Sequence, residues 1–306
     1  MPRNIAILGA TSNIAKGLVV RFDQSPDTEL TLFARDARRT ADFLAEQGCR
    51  PCSIFQDFEM LNRLRFDAVI NCVAYHPVAG VHDFGTFETK EYFDNLAIAH
   101  LRRNESCRYV HFSSGAVYGG DFAQPIADGQ HVMFPINRLS SLAYYQAVLL
   151  HSEAKHRSLD PLNVIDLRIF SYFSRFQSPD APFLLSKMIS CVLQRQEFVT
   201  DAIDIIRDYI HPDDLFRLIE ICLSAEQINT AFDVSSKAPV RKFELLELFA
   251  TEFGLHYRIR DEKIENKETG IKPAYCSHGN AAAWFAPKHT SVETVLSETK
   301  LMLAER

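Results

Sequence analysis

Short apolar runs alternate with stretches of helical periodicity through the first half of the chain. Six apolar runs predict buried strands at residues 4–8, 30–33, 53–55, 68–70, 109–112 and 163–168. Between them, apolar residues recur at helical spacing, which predicts helices at residues 14–22, 41–47, 92–103 and 145–156. This alternation predicts an α/β fold with a Rossmann-type doubly wound parallel sheet.

The second half of the chain has shorter and less regular segments. Helical spacing returns at residues 183–194, and the segment from Tyr209 to Leu215 leads into another helix. Residues 262–280 are polar and contain glycine and proline, which predicts a surface loop. We therefore expect one domain at residues 1–170 and a smaller, discontinuous lobe at residues 171–306. Some segments of the lobe are expected to return to the first domain.

Composition excludes several classes of protein. The 306 residues, 47% of them apolar and 24% charged, are enough for a substantial core and argue against wholesale disorder. A formal net charge of -6 gives no reason to expect a nucleic-acid partner, and no apolar run is long enough for a membrane span. The 7 cysteines and 11 histidines show no metal-ligand spacing, so no metal site is expected. An odd number of cysteines without a signal peptide fits a reducing cytoplasm.

The first strand runs into a turn that suits a phosphate group. Gly9-Ala-Thr-Ser-Asn-Ile-Ala15 joins this strand to the first helix. Free backbone N–H groups and the positive end of the helix dipole attract anions at such a turn. The residues that we expect to contact a pyrophosphate are Gly9, Thr11, Ser12, Asn13 and Ile14. An ordinary turn between strand and helix is the alternative interpretation.

Two further segments resemble a known family. Ser113-Ser-Gly-Ala-Val-Tyr-Gly119 ends the fifth strand, and Tyr145-Gln-Ala-Val-Leu-Leu-His-Ser-Glu153 opens the fourth helix. The first resembles the Ser-Ser-x-x-Val-Tyr-Gly segment of extended short-chain dehydrogenase/reductases, the nucleotide-sugar epimerase and dehydratase family. The second resembles their Tyr-x-x-Ser-Lys-Leu-x-x-Glu helix. The phosphate turn resembles the family's Gly-x-x-Gly-x-x-Gly, with Ser12 and Ala15 in place of two glycines.

The resemblance implies a catalytic pair. In this family a tyrosine handles the proton of a sugar hydroxyl while hydride passes between the nicotinamide and a sugar carbon. Tyr145 matches that tyrosine, with Tyr144 as the neighbouring alternative, and is also expected to contact the cofactor. Ser114 matches the residue that hydrogen-bonds the same substrate oxygen. Family 4,6-dehydratases carry Asp-Glu where this chain has Gly115 and Ala116, which cannot titrate, so dehydration is disfavoured.

The catalytic lysine of the family is missing, because Leu149 lies at its position. That lysine lowers the pKa of the tyrosine. Without it, a tyrosine with a pKa of about 10 is a weaker base at pH 7 by roughly 4 kcal/mol. The deficit affects oxidation, in which tyrosinate takes a proton, and spares reduction, in which neutral tyrosine donates one. Lys155 lies about 240° around the helix from position 149 and is a poor substitute.

The end of the second strand bears on the choice of cofactor. NAD enzymes of this fold usually carry an acidic residue there, whereas this chain has Ala34 and Arg35, followed by Arg38 and Arg39. A guanidinium matches a ribose 2′-phosphate, so Arg35 favours NADP(H), with NAD(H) as the alternative. By resemblance, further cofactor contacts fall at Asp57, Phe58, Val73 and Ala74.

A segment of the second half resembles the substrate side of the same family. Arg207-Asp-Tyr-Ile-His-Pro-Asp-Asp-Leu215 resembles the epimerase segment Arg-Asp-Tyr-Ile-His-Val-x-Asp. There the arginine lies near the substrate diphosphate, which implies that Arg207 binds a nucleotide-diphosphate sugar. His211 and Asp213 are expected to anchor the lobe and cap the next helix. The resemblance also implies a homodimer that pairs the helices at residues 92–103 and 145–156.

Three interpretations follow from these observations. The favoured one is an NAD(P)-dependent ketosugar reductase acting on a nucleotide-activated sugar, because the change at Leu149 spares the reductive direction. A C4 or C2 epimerase of the same substrates is the second. A non-catalytic NAD(P)-binding scaffold or regulator is the third, supported by the altered glycine turn and by Leu149. In the first two, residues 1–170 bind the dinucleotide and the lobe binds the substrate.

Overall fold

A computed structural model describes residues 2–73, 84–132, 134, 137, 141–261, 272–278 and 285–305. The strands are β1 (Arg3–Leu8), β2 (Thr28–Phe33), β3 (Ser53–Phe55), β4 (Ala68–Asn71), β5 (Arg108–Ser114), β6 (Asn163–Ile169), β7 (Ser171–Tyr172), β8 (Phe198–Asp201), β9 (Ile206–Arg207), β10 (Tyr209–Ile210), β11 (Asn229–Val234), β12 (Val240–Arg241), β13 (Tyr257–Arg260) and β14 (Ala274–Tyr275). The α-helices are α1 (Asn13–Asp23), α2 (Ala37–Glu46), α3 (Phe84–Leu101), α4 (Ser141–Arg157), α5 (Leu184–Gln194), α6 (Pro212–Ser224), α7 (Lys242–Phe253) and α8 (Ser291–Ala304). Two 3-10 helices span Phe58–Asn62 and Gly115–Tyr118.

The main sheet has seven parallel strands in the order β3-β2-β1-β4-β5-β6-β11. The order reverses beside β1, and ligands of such sheets bind outside the carboxyl ends of the strands at that point. This arrangement confirms the predicted α/β fold and doubly wound sheet. The edge strand β11 comes from the second half of the chain and pairs with β6.

Apolar residues on both faces of the strands explain why helices cover the sheet on both sides. Along β1, Ile5 and Ile7 join one apolar cluster and Ala6 and Leu8 join the other, and all are fully buried. This pattern is typical of a parallel strand between two layers of helices. The helix α1 supports the first cluster with an apolar face that includes Phe22.

Three helices begin earlier than apolar periodicity predicts, and one of them, α4, begins at Ser141 rather than at Tyr145. The helix predicted at residues 41–47 begins at Ala37, where the side chain of Asp36 accepts a hydrogen bond from Arg39 N. Its first turn is exposed and polar, so a search for apolar spacing does not detect it. The helix predicted at residues 92–103 begins at Phe84, and its early turns contain glycine and threonine, which have low helix propensity.

The second half of the chain packs around an apolar cluster of its own. Helices α5, α7 and α8 contribute Met188, Leu245, Phe249 and Val295, all of which are buried. The helix α6 begins after His211, whose ring accepts a hydrogen bond from Asp213 N, which confirms a capping role for this histidine. No helix in the part of the chain that the structure describes is long and apolar enough to cross a membrane.

Candidate functional site

The turn after β1 approaches β4 closely enough to require glycine. Gly9 has a φ of +74°, and a Cβ atom there would lie 2.9 Å from Val73 N. A side chain at this position would therefore combine a strained backbone with a clash against the next strand. Val73 N in turn donates to Oδ1 of Asn71, which fixes the end of β4 beside the turn.

The first turn of α1 presents free backbone donors beside Thr11. The side chain of Ser12 caps the helix by accepting from Ala15 N at 3.3 Å. Among the described residues, Asn13 N and Ile14 N have no hydrogen-bond acceptor. Unpaired N–H groups at the positive end of a helix form an anion site, so the turn fits the pyrophosphate of a dinucleotide.

The side chain of Asn13 is held by the segment that follows β6 and β7. Its Oδ1 accepts a hydrogen bond from Ser174, and its Nδ2 donates to Gln177 Oε1 at 3.4 Å. The first turn of α1 is therefore fastened to the second half of the chain. Its backbone N–H groups are left for a ligand.

The residues predicted on the adenosine side lie at the ends of β2 and β3. Arg35 is exposed immediately after β2, and its carbonyl oxygen accepts from Gln56 Nε2 at 2.7 Å. Asp57 caps the short 3-10 helix by accepting from Glu59 N at 3.0 Å. The ring of Phe58 is partly buried against the apolar cluster beneath β2, where it stacks with Phe33 and Phe93. Ala74, the last predicted cofactor contact, lies outside the described residues.

The predicted catalytic pair comes together at the carboxyl end of β5. Ser114 ends the strand, and its Oγ accepts a hydrogen bond from Ala116 N at 3.2 Å. Tyr145, from α4, faces Ser114, whose hydroxyl interacts with the phenol. Burial raises the pKa of Tyr145 above its ordinary value, and the hydrogen bond with Ser114 offsets only part of that effect. Tyr145 is therefore protonated at neutral pH. The contact with Ser114 favours Tyr145 over Tyr144 as the residue that faces the site.

Leu149 takes no part in the polar site. Its side chain is fully buried in a small apolar cluster with Ala116 and Val117, against which Tyr145 also packs. The side chain of Lys155 points elsewhere, since its Nζ lies 2.6 Å from Asp94 Oδ2 and 3.1 Å from Glu91 Oε1 on α3. Neither residue supplies a positive charge to Tyr145.

A second tyrosine that sequence reasoning missed reaches the same serine. The hydroxyl of Tyr275 lies 2.8 Å from Ser114 Oγ, and its ring packs against Phe122 and Phe170. Tyr275 is buried, although residues 262–280 were predicted to form a surface loop. The composition around it is polar, and only the pairing of β14 with β9 places it inside the protein. Nothing in its local sequence could have revealed this position.

Arg207 lies beside this tyrosine rather than in open solvent. β9 pairs with β14 so that Arg207 and Tyr275 are register partners. One terminal nitrogen of the Arg207 guanidinium donates to the carbonyl oxygens of Ile206 and Lys272, each at 2.7 Å. Burial lowers the pKa of Arg207. Arg207 thus lies at the candidate site. Among the described residues, one of its N–H-bearing nitrogens is used in hydrogen bonds to the backbone, and the others remain for a ligand.

One buried group among the described residues has the composition of a metal site. His111, His156 and Asp166 offer ligand atoms within 4.8 Å of one another beneath α3 and α4. However, Asp166 Oδ1 lies 2.7 Å from His111 Nδ1 and 2.9 Å from His156 Nδ1, which are hydrogen-bond lengths. His156 Nε2 also lies 2.7 Å from Asp94 Oδ1. Because both of its nitrogens face carboxylates, His156 fits a protonated imidazolium better than a metal ligand.

Fold and site together define a Rossmann protein with a dinucleotide turn and a serine and tyrosine at the carboxyl edge of its sheet. Residues 5–234 match the sequence profile of the NAD dependent epimerase/dehydratase family. The match spans most of the chain, so the protein belongs to that family. None of the curated protein sequences compared with it matches significantly.

Solved structures of low sequence identity share the fold over the whole chain. UDP-N-acetylglucosamine 4-epimerase from Methanobrevibacter ruminantium M1 is 18% identical with a TM-score of 0.76, over 100% of this chain and 99% of that one. UDP-glucuronic acid 4-epimerase from Bacillus cereus is 13% identical with a TM-score of 0.77, over 99% and 100%. The dTDP-glucose 4,6-dehydratase of Streptomyces venezuelae is 16% identical with a TM-score of 0.77, over 98% and 97%.

Proposed function

We propose that this protein is an NADP(H)-linked reductase of a keto sugar carried on a nucleoside diphosphate. The observation that carries the proposal is the position of Leu149. It fills the site of a lysine with an apolar, fully buried side chain beneath a tyrosine whose pKa is raised by burial. At neutral pH such a tyrosine carries the proton that reduction of a carbonyl group requires, whereas oxidation requires its ionised form.

The proposed roles follow from the geometry at β5 and α4. Tyr145 donates its proton to the carbonyl oxygen as that oxygen gains negative charge, and Ser114 donates a hydrogen bond to the same atom. The bound nicotinamide supplies the hydride. Tyr145 begins this step protonated and needs no ionisation in advance, and the tyrosinate that the transfer leaves regains a proton from solvent before the next turnover.

The proposed cofactor is NADP(H), held by the turn after β1. The N–H groups of Asn13 and Ile14 would bind the pyrophosphate, and the exposed guanidinium of Arg35 would pair with a 2′-phosphate. Two of the similar structures above contain NAD according to their descriptions, so NAD(H) is the alternative cofactor. The substrate would lie against the lobe of residues 171–306, with Arg207 directing its remaining N–H groups at the diphosphate. The proposal includes a homodimer formed through α3 and α4.

Dehydration is disfavoured by space as well as by residue type. A Cβ atom on Gly115 would lie 2.4 Å from the ring of Phe170, so no acidic side chain fits there without moving that ring. The neighbouring Ala116 is buried and has no titratable group. At the two positions where family dehydratases carry Asp-Glu, this chain therefore has no titratable side chain, and at Gly115 there is no space for one.

Two other functions each have a specific observation in their favour. An epimerase is favoured by the similar structures, several of which are described as 4-epimerases of UDP-sugars, and it would use the same Ser114 and Tyr145 pair. A binding protein without turnover is favoured by Tyr275, whose hydroxyl already occupies one hydrogen-bonding position of Ser114. Both alternatives are decided by the same assay.

The deciding experiment mixes the purified protein with NADPH and a nucleotide-linked 4-keto sugar and follows absorbance at the nicotinamide band together with sugar products. A reductase consumes one NADPH for each hydroxyl sugar formed. Interconversion of two UDP-sugars without net cofactor consumption would support the epimerase instead. Cofactor binding without either reaction would support the binding protein and exclude both enzymes for the substrates tried.

A further inference from the structure

We propose that Tyr275 is a positioning residue that orients the hydroxyl proton of Ser114 toward the substrate oxygen. This inference rests on the proposed function, because it concerns the same serine. Tyr275 belongs to the second half of the chain and lies outside the two motifs that contain Ser114 and Tyr145. The inference rests on the short contact between the two hydroxyl groups, on the burial of Tyr275 and on the fixed placement of its segment.

The contacts of Ser114 Oγ carry the proposed direction of its hydrogen bonds. Ala116 N can only donate, and Ser114 Oγ accepts from it at 3.2 Å. The Tyr275 hydroxyl lies 2.8 Å from the same oxygen, a distance at which either hydroxyl could donate. In the proposed arrangement Tyr275 donates, so Ser114 accepts from both groups and its own proton is left for the substrate oxygen.

Such a chain of donors is cooperative. A serine that accepts two hydrogen bonds is polarised and becomes a better donor to a carbonyl oxygen. The ammonium group of Lys272 lies 4.3 Å from the centre of the Tyr275 ring, and its positive charge favours release of the phenolic proton toward Ser114. Lys272, from the second half of the protein, thus supplies a positive charge to the hydrogen bonds around Ser114. The family's catalytic lysine, which Leu149 replaces, does not.

The segment that carries Tyr275 is built into the protein rather than resting on it. Ala274 N donates to Phe122 O at 2.8 Å, and Ile126 N donates to Cys276 O at 2.9 Å. The hydroxyl of Ser277 donates to Asp233 Oδ2 at 2.7 Å. These bonds surround Tyr275 on both sides along the chain. A residue held this firmly is a permanent part of the site, not a side chain that happens to fill it.

The test compares wild type with Tyr275→Phe, which keeps the ring packing and removes only the hydroxyl. We expect kcat for keto-sugar reduction to fall about 5- to 10-fold, the value of one neutral hydrogen bond, with KM nearly unchanged. In a Ser114→Ala background the second change should have no further effect, because the proton to be oriented is gone. Tyr209→Phe removes another buried tyrosine hydroxyl of the same half and should leave kcat unchanged.

Two results would overturn the inference. Wild-type kcat in Tyr275→Phe would show that only the ring matters, and equal losses in the presence and absence of Ser114 would show that the two residues act independently. A third readout does not need turnover. The 13Cζ resonance of Tyr145 should move in Tyr275→Phe, and an unchanged resonance would overturn the inference. Absence of keto-sugar reduction in wild type would instead sink the proposed function, so the two failures are distinguishable.

Discussion

Leu149 lies one helical turn beyond Tyr145 on α4, and both side chains pack against the 3-10 helix that follows Ser114. A lysine at this position could place its ammonium group beside the tyrosine only by carrying its stem through the same apolar contacts. The chain has filled that path with a buried hydrocarbon side chain. The consequence is a tyrosine whose protonated form is favoured by burial and that receives no positive charge from position 149.

The first prediction concerns Leu149→Lys. We expect this variant to shift the rise of sugar-alcohol oxidation to lower pH, because an ammonium group near Tyr145 stabilises tyrosinate and lowers the pKa of the tyrosine. It should also lower the free energy of unfolding by roughly 3 kcal/mol, since it places a charge in an apolar cluster. Initial rates of oxidation across a range of pH and chemical unfolding measure the two effects. Leu149→Met, which keeps size and polarity, should change neither. An unchanged pH profile of oxidation in Leu149→Lys would contradict the argument.

The second prediction concerns Tyr145→Phe. Removing the proton donor should lower turnover by at least about 100-fold, the lower range for a general acid. Binding of NADPH, measured by quenching of protein fluorescence, should change little because the pyrophosphate turn is untouched. Tyr144→Phe is the matched control, since it removes the neighbouring hydroxyl from the same helix. A larger loss in Tyr144→Phe than in Tyr145→Phe would reverse the assignment of the catalytic tyrosine.

Local sequence patterns predicted six of the seven strands of the main sheet because their signals are local, whereas β11 was not predicted as a strand. A buried parallel strand such as β1 is a continuous apolar run, and the turn at Gly9 marks its end. Helix starts were less accurate, since exposed first turns such as that of α2 carry no apolar periodicity. The Ser114 and Tyr145 pair was accessible from sequence because both residues belong to motifs of fixed spacing.

The remainder of the site depends on pairings between distant parts of the chain. Tyr275 reaches Ser114 only because β14 pairs with β9, and neither two-residue strand has a pattern of its own. The carbonyl contacts of Arg207 arise from the same pairing. Side chains that meet through long-range backbone hydrogen bonds leave no periodic trace in the sequence, so no reading of spacing could have found them.

The third prediction concerns cofactor choice. Arg35→Ala should weaken NADPH binding by roughly 10- to 100-fold, the loss of a hydrogen bond between charged groups, and should leave NADH binding nearly unchanged. Titration calorimetry with each cofactor measures the difference. Arg65→Ala is the control. It removes another exposed guanidinium, which lies just before β4 at the amino ends of the strands, and it should affect the binding of neither cofactor. Equal weakening of NADH and NADPH would remove Arg35 as the source of preference.

The fourth prediction concerns the buried ion cluster of His156, Asp94 and Asp166. Burial opposes a charge on His156, but hydrogen bonds to Asp166 and Asp94 outweigh it and raise its pKa from 6.5 to about 9. A group with a raised pKa in the folded state stabilises the fold fully below its unfolded pKa, and that stabilisation disappears as the pH rises through the folded value. The shift corresponds to roughly 3 kcal/mol, lost between about pH 6.5 and pH 9. The midpoint of thermal unfolding of the wild type should therefore fall across this range.

His156→Gln separates this effect from all other titrations. The variant leaves Asp94 and Asp166 without their shared cation, so its free energy of unfolding at pH 6.5 should be lower by roughly 3–5 kcal/mol. Its unfolding midpoint should then depend less on pH between 6.5 and 9 than that of wild type, because the titrating ring is gone. His151→Gln, from the exposed face of the same helix, should behave as wild type. If His156→Gln and wild type lose stability in parallel between pH 6.5 and pH 9, deprotonation of His156 is not the cause of the loss, and the prediction is wrong.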